Sequence, residues 1–186
     1  KHAIDNNYKI CMTALTGVAS LLLDCNATTI NTWAGVGLAK GNANNIINRI
    51  LSSKFKSFNW TNTDILIIDE ISMMSLKFFE LLDAIGKIVR NNNKPFGGIQ
   101  IIMSGDFFQL PPVNETTFCF ESELFLKMFD SIISLNKLYR QSGDSFYKKL
   151  LLNLRIGLIS NKSISKLNSK IIKEADLPIN IIRLVP

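Results

Sequence analysis

The sequence predicts an α/β fold: a parallel sheet with helices on both faces. Three observations carry that prediction. Short apolar runs at residues 65–68 (ILII) and 99–103 (IQIIM) read as strands buried on both faces, as a parallel sheet requires. Segments with apolar residues at helical spacing separate such runs, and alternating strands and helices imply helical crossovers. Finally, adjacent carboxylates, Asp69 and Glu70, follow the first run directly. That is the carboxyl end of the strand, where open α/β sheets bind ligands.

Each element has its own justification. Residues 8–14 form the first strand, and Thr16 and Gly17 turn it into a short helix through Leu23. Residues 42–51 carry Ile46, Ile47, Ile50 and Leu51 as one helical stripe. Residues 54–58 (KFKSF) interleave charge and aromatics and read as a solvated helix end, with a nucleic-acid patch as the competing reading. Residues 59–64 are a polar connector to the strand that ends at Asp69. Ser75 caps a helix over residues 76–90, with Leu76, Phe79, Leu82 and Ile85 on one face. Asn91, Asn92, Asn93 and Pro95 end it in a loop over residues 91–98, before the strand at 99–103. Residues 121–129 read as a further helix and residues 131–135 as a fourth strand. Asp144 caps a helix that runs through Ile156 and ends at Gly157, and residues 163–174 form a last helix before an extended tail. No internal repeat or low-complexity linker interrupts this order, so the chain reads as one domain.

The chemistry concentrates in two loops. Residues 64–73 (DILIIDEISM) match the Walker B element of nucleotide hydrolases. In that element the first acid, Asp69, helps hold magnesium, often through water, and the second, Glu70, orients or deprotonates the attacking water. The bland alternative is a strand followed by a polar turn. Residues 104–113 (SGDFFQLPPV) form the second loop. Gly105 permits a sharp turn, and Pro111 and Pro112 stiffen the chain beyond it. Between them Gln109 offers both donors and an acceptor, which suits it to touch a terminal phosphate and report its loss. Phe107 and Phe108 cannot both face inward on an extended backbone, so one of them is expected at the surface.

Composition narrows the field without deciding it. The 186 residues suffice for a substantial core, and 47% hydrophobic with 19% charged residues describes a soluble globular protein. The net charge of +6 makes a polyanion partner plausible, although proteins with no such partner also carry that value. Cys11, Cys25 and Cys119 lack metal spacing and are odd in number, which points to reduced thiols in an intracellular protein. His2 is the only histidine, which argues against histidine catalysis and zinc. No signal peptide or membrane-length apolar segment is present, so no membrane partner is expected.

Taken together and in order, these segments resemble a known family. DEISM at residues 69–73 and GDFFQLPPV at 105–113 resemble motifs II and III of the Pif-type superfamily-one DNA helicases. Residues 13–20 (TALTGVAS) and 29–37 (TINTWAGVG) resemble that family's DNA-contacting motifs. Residues 135–141 (LNKLYRQ), Phe146 and residues 154–157 (LRIG) resemble its fourth motif, and residues 182–186 resemble the start of the segment that follows. The resemblance spans nearly the whole chain. It implies a RecA-like sheet of the P-loop NTPase type, ATP and Mg2+ as cofactors, and 5′-to-3′ DNA unwinding coupled to ATP hydrolysis. It also implies roles in DNA repair, recombination and telomere maintenance, with single-stranded DNA and duplex junctions as partners and the nucleus as the compartment in a eukaryote.

The family places single-stranded DNA across the loops after the first and third strands. Thr16 and Gly17 then present a hydroxyl and backbone amides to a phosphate, Trp33 and Phe108 are candidate stacking surfaces, and Pro111 is a further DNA-binding candidate. Core packing is the competing reading for both aromatics. Arg140 carries a planar cation suited to phosphate oxygens, as the resemblance also implies; a surface salt bridge is the alternative. Gln141 completes the turn, and Leu135, Leu138 and Tyr139 read as packing.

The sequence also departs from the family. No G-x-x-x-x-G-K-[ST] phosphate loop occurs. Residues 35–41 (GVGLAKG) have the wrong spacing and follow no strand, so they read as an ordinary loop. The resemblance implies that the phosphate loop precedes Lys1 and that a second motor domain follows Pro186. The expectation is therefore an incomplete RecA-like motor domain, cut at both ends and inactive as a motor by itself. Asn31 stands where the family usually carries histidine. Two other classes stay open: a nucleic-acid-binding remnant without hydrolysis, and a phosphate-loop ATPase outside the helicases. Intact Asp69, Glu70, Gln109 and Arg140 weigh against the first, and the Thr-Gly segment with the Pro-Pro pair weighs against the second.

Overall fold

Residues Ile10–Ala14 (β1) pair with Thr28–Thr29 (β2) on one side and with Ile65–Asp69 (β3) on the other. Gln100–Met103 (β4) lies beyond β3. The result is a parallel sheet in the order β2-β1-β3-β4, as the apolar runs predict. The structure is a computed structural model and describes residues 5–23, 25–137, 139 and 143–172. Helices flank the sheet: Gly17–Leu22 (α1), Ile30–Ala34 (α2), Ala43–Leu51 (α3), Lys54–Asn62 (α4), Leu76–Val89 (α5) and Glu123–Met128 (α6). On β3, Ile65, Leu66 and Ile68 are all buried, so both faces of that strand are covered.

The chain divides into two units, residues 1–133 and 134–186. The first holds the sheet. The second contains Ser145–Arg155 (α7) and Asn161–Asn168 (α8). Asp144 caps α7 as expected, its Oδ1 accepting from the Tyr147 amide at 2.9 Å. The final helix starts earlier than predicted, behind a Ser160 cap, and stops at Asn168 rather than running to residue 174. Leu138, Arg140, Gln141 and the tail from residue 173 lie outside the described residues.

Two expectations are corrected. Residues 131–135 are not a strand and join no ladder among the described residues. Ile132, Ile133 and Leu135 are 92%, 83% and 90% exposed, so this apolar run lacks the packing that makes β-propensity count. The fourth strand is instead the two-residue β2, at the opposite edge. The polar connector is also different: α4 runs through Asn62, so residues 59–62 are helical.

Burial explains the longer α4. Trp60 is fully buried, its ring 4.6 Å from that of Trp33 at 55°, and its Nε1 donates to Ala34 O at 3.0 Å. Asn59 Nδ2 donates to Trp33 O at 2.8 Å. Arg90, just past α5, then ties three segments together: Nη1 donates to Trp60 O at 2.7 Å and Thr63 O at 3.2 Å, and Nε donates to Gly97 O at 2.8 Å. A polar stretch is therefore held helical by one aromatic and its backbone contacts rather than by an apolar stripe. The cysteines are free thiols, and burial pushes Cys119 up to about 11, which keeps it protonated at neutral pH.

These contacts make α4 a sharp test of the fold. Trp60→Ala removes a fully buried aromatic and is expected to lower unfolding free energy by about 3–5 kcal/mol in a urea titration. Phe55→Ala, on the same helix but 89% exposed, is expected to stay within about 0.5 kcal/mol of the parent. Equal effects at the two positions would contradict this packing.

Candidate active site at the carboxyl edge of the sheet

Strand register decides which side chains meet. Ala14 pairs with Asp69 and Ile68 pairs with Met103, so β1, β3 and β4 end side by side. Hydrogen bonding continues past the strands: Leu15 N donates to Asp69 O at 3.2 Å, Ser104 N to Ile68 O at 2.9 Å, and Ile71 N to Ser104 O at 3.1 Å. The two loops singled out in the sequence are thus stitched to each other at their roots. Gly105 makes this approach possible. A Cβ built there would stand 2.8 Å from Ile71 N and 2.9 Å from Ile71 Cγ1.

Glu70 adopts φ 57° and ψ 45°, the left-handed region that non-glycine residues rarely occupy. It caps the short 3-10 turn Ile71–Met73 and reverses the chain directly after Asp69. Both carboxylates are half-buried. Among the described residues, neither Asp69 nor Glu70 makes a side-chain hydrogen bond or ion pair. Two adjacent acids at a strand end, one held in strained backbone and both uncommitted, form a surface ready for a ligand that brings its own donors or cation. No group of three or more His, Cys, Asp or Glu among the described residues is arranged to hold a metal by itself. A Mg2+ ion fits this donor set, because it takes one or two carboxylates and completes its shell with phosphate oxygens and water.

The second loop contains a residue that sequence reasoning passed over. Asp106 accepts from Phe108 N at 3.1 Å through Oδ1 and from Gln109 Nε2 at 3.3 Å through Oδ2, and Gln109 N donates to Asp106 O at 2.9 Å. This aspartate turn fixes the amide of Gln109. The signal was present as an aspartate three residues before the glutamine, a common turn spacing. Phe107 packs inward at 4.7 Å from Phe120 and 6.1 Å from Phe118, while Phe108 is 63% exposed, so one faces in and one out. Pro111 is exposed and Pro112 buried.

The remaining candidates divide. Thr16 caps α1, its hydroxyl oxygen accepting from Ala19 N at 3.1 Å, and Gly17 is exposed at the first turn of that helix. Both stand on the loop that leaves β1 beside Asp69. Trp33 is corrected: at 4% exposure and against Trp60, its ring is core and offers no face to a base. Its Nε1 is buried without an acceptor among the described residues. Arg140 lies outside the described residues.

The profile of the PIF1-like helicase family matches residues 2–163. The ATP-dependent DNA helicase PIF1 of Saccharomyces cerevisiae is 38% identical over 161 residues, which cover 83% of this chain and 18% of the yeast protein. The crystal structure of Pif1 helicase from Candida albicans matches with a TM-score of 0.83 at 36% identity, over 90% of this chain and 38% of that one. The Pif1 helicase from Bacteroides in complex with ADP-AlF3 and ssDNA matches with a TM-score of 0.71 at 25% identity, over 90% of this chain and 42% of that one. The chain therefore spans less than half the length of each of these relatives.

The backbone of this edge yields two stability predictions. Asparagine tolerates left-handed backbone better than glutamate, so Glu70→Asn is expected to hold or raise stability, by up to about 1 kcal/mol. Gly105→Ala is expected to lower stability by about 1–3 kcal/mol, because the new methyl meets Ile71 backbone. A marked loss in the first or none in the second, in paired thermal melts, would contradict the geometry.

Proposed function

The chain belongs to the PIF1-like helicase family, and on that footing we propose that it contributes the magnesium- and water-handling side of an ATP site whose hydrolysis drives DNA unwinding. The observation that carries the proposal is the stitched carboxyl edge: the loop bearing Asp69 and Glu70 and the turn bearing Gln109 are joined through Ile71 N and Ser104 O. In this reading Asp69 holds hydrated Mg2+ on the nucleotide phosphates. Bound there, Mg2+ neutralises charge on the phosphate oxygens. Glu70 orients the attacking water and accepts its proton. Gln109 contacts the terminal phosphate, with Asp106 keeping its amide aimed. Arg140 supplies a planar cation to the phosphate oxygens.

Coupling to DNA follows from the same turn. Phe108 precedes Gln109 directly and presents its ring to solvent, so loss of the terminal phosphate and release of a stacked base act on one short segment. Thr16, Gly17 and Pro111 complete a single-strand track along the edge. The proposal extends to 5′-to-3′ unwinding at single-strand and duplex junctions, in repair, recombination and telomere maintenance, within the compartment that holds the DNA, the nucleus in a eukaryote. A second motor domain closes on ATP and opens after hydrolysis. Neither that domain nor a G-x-x-x-x-G-K-[ST] loop is among these 186 residues. No helix among the described residues is long and apolar enough to cross a membrane.

A DNA-stimulated ATPase assay on the native protein tests the proposal. Single-stranded DNA is expected to stimulate hydrolysis, and Glu70→Gln to lower kcat by about 10²–10⁴-fold while nucleotide binding persists. Phe108→Ala is expected to weaken single-strand binding by about 1–3 kcal/mol. Hydrolysis indifferent to DNA would favour a non-helicase ATPase, and DNA binding without hydrolysis would favour the nucleic-acid-binding remnant.

A further inference from the structure

An open groove of about 500 Å³ lies where α2 and the loop after it meet α3 and α4; Thr29, Asn31, Thr32, Leu38, Arg49 and Lys56 line it. Its charge is one-sided. Arg49 and Lys56 are the only charged residues in its lining, and neither is ion-paired among the described residues. Both cations are positioned by backbone. Arg49 Nη2 donates to Val36 O at 2.8 Å, which anchors the guanidinium over the loop after α2 and leaves other N–H groups of the fork for a ligand. Lys56 is fixed at its root. A Cβ on Gly35, which has φ 70°, would stand 3.1 Å from Lys56 Cβ, so the lysine stem packs directly on the end of α2. Hydroxyls line the same groove: Thr29 Oγ1 and Thr32 Oγ1 share a hydrogen bond of 2.8 Å. Asn31 Nδ2 donates to Gly37 O at 2.8 Å, which braces the loop that carries Val36.

The groove starts at the strand next to the candidate nucleic-acid edge. Thr29 ends β2 and caps α2, and its register partner is Ala14, the last residue of β1. The groove therefore begins one strand over from Thr16 and Gly17, on the side of β1 away from Asp69 and Glu70. Two uncompensated cations, one a planar fork, beside paired hydroxyls suit a phosphate oxygen cluster. Its place beyond β1 sets it apart from the carboxylate loop and in line with the single-strand track.

We infer that this groove seats a backbone phosphodiester of single-stranded DNA, held by Arg49 and Lys56. The inference rests on the single-strand reading above and adds two residues that the helicase motifs do not include. These contacts are blind to sequence and fix the register of the strand as it leaves the Thr16 loop.

The test is the salt dependence of oligothymidylate binding to the native protein, read by fluorescence anisotropy. Each neutralised phosphate contributes about 0.7 to the slope of log affinity against log salt for single strands, so R49Q/K56Q, which releases the one phosphodiester, is expected to flatten the slope by about 0.7. K56Q alone keeps the Arg49 anchor on Val36 and is expected to flatten it by part of that amount, with an unchanged melting midpoint. The charge-preserving pair R49K/K56R is expected to keep the parent slope. A parent slope retained in both glutamine variants overturns the phosphate groove and leaves the single-strand reading intact. Absence of oligothymidylate binding in the parent protein overturns both. Glutamine variants that flatten the slope only where the melting midpoint also falls, with R49K/K56R flattening it too, overturn the groove in favour of a structural role.

Discussion

Parallel pairing in register is the constraint on which the rest depends. Because Ala14, Asp69 and the end of β4 are brought level, every loop that leaves the sheet in this direction starts from the same line. The bond from Ile71 N to Ser104 O then extends the β3–β4 relationship beyond the strands. Gly105 has no side chain to hold these loops apart, and Glu70 accepts a left-handed backbone to turn between them. A strained glutamate next to an aspartate, with neither committed to a protein partner, is a local cost that the well-buried β3 sustains. Such strain is stored where function requires a fixed direction rather than where packing is best.

Behind the candidate nucleic-acid side of the edge stands a different device. Trp33 and Trp60 pack ring to ring, and Arg90 gathers the carbonyls of Trp60, Thr63 and Gly97. This cluster joins α2, α4 and the end of α5. It gives the short α2 a rigid backing, and through α2 it supports both the Thr29 cap and the loop that Arg49 grips. The helices that carry Arg49 and Lys56 are therefore fixed to the same core as the strand ends. A load on the proposed DNA track would act on packed aromatic surface rather than on free loops.

Much of this was legible in the sequence. The ILII run followed by Asp69 and Glu70 marked both the strand and the place of its paired acids, since burial on two faces and adjacent carboxylates are local signals. The exposure of Phe108 followed from alternation, once Phe107 had to face one way. The rest needed tertiary information. Trp60 sits in the polar run Asn59–Asn62, where no apolar period marks a helix; burial against Trp33 makes it one. Trp33 itself reads as platform or as core until a partner ring is in place. Two residues are too few for β2 to register as a strand, and Ile132 and Ile133 look like one although no edge receives them. Asp106 was passed over for another reason: its spacing to Gln109 is a turn signal, but an aspartate turn is defined by which amides its oxygens reach.

The central claim is that the carboxyl edge is one unit, on which nucleotide and single-stranded DNA act on each other through the Asp106 to Gln109 turn. The most direct measurement is the affinity of the native protein for single-stranded DNA, with and without Mg2+ and a non-hydrolysable ATP analogue, in the parent and in Gln109→Ala. Coupling between linked sites amounts to about 5-fold or more in affinity. The parent is expected to show such a shift and Gln109→Ala to lose it while still binding DNA. A parent protein that binds DNA equally with and without nucleotide would contradict the claim.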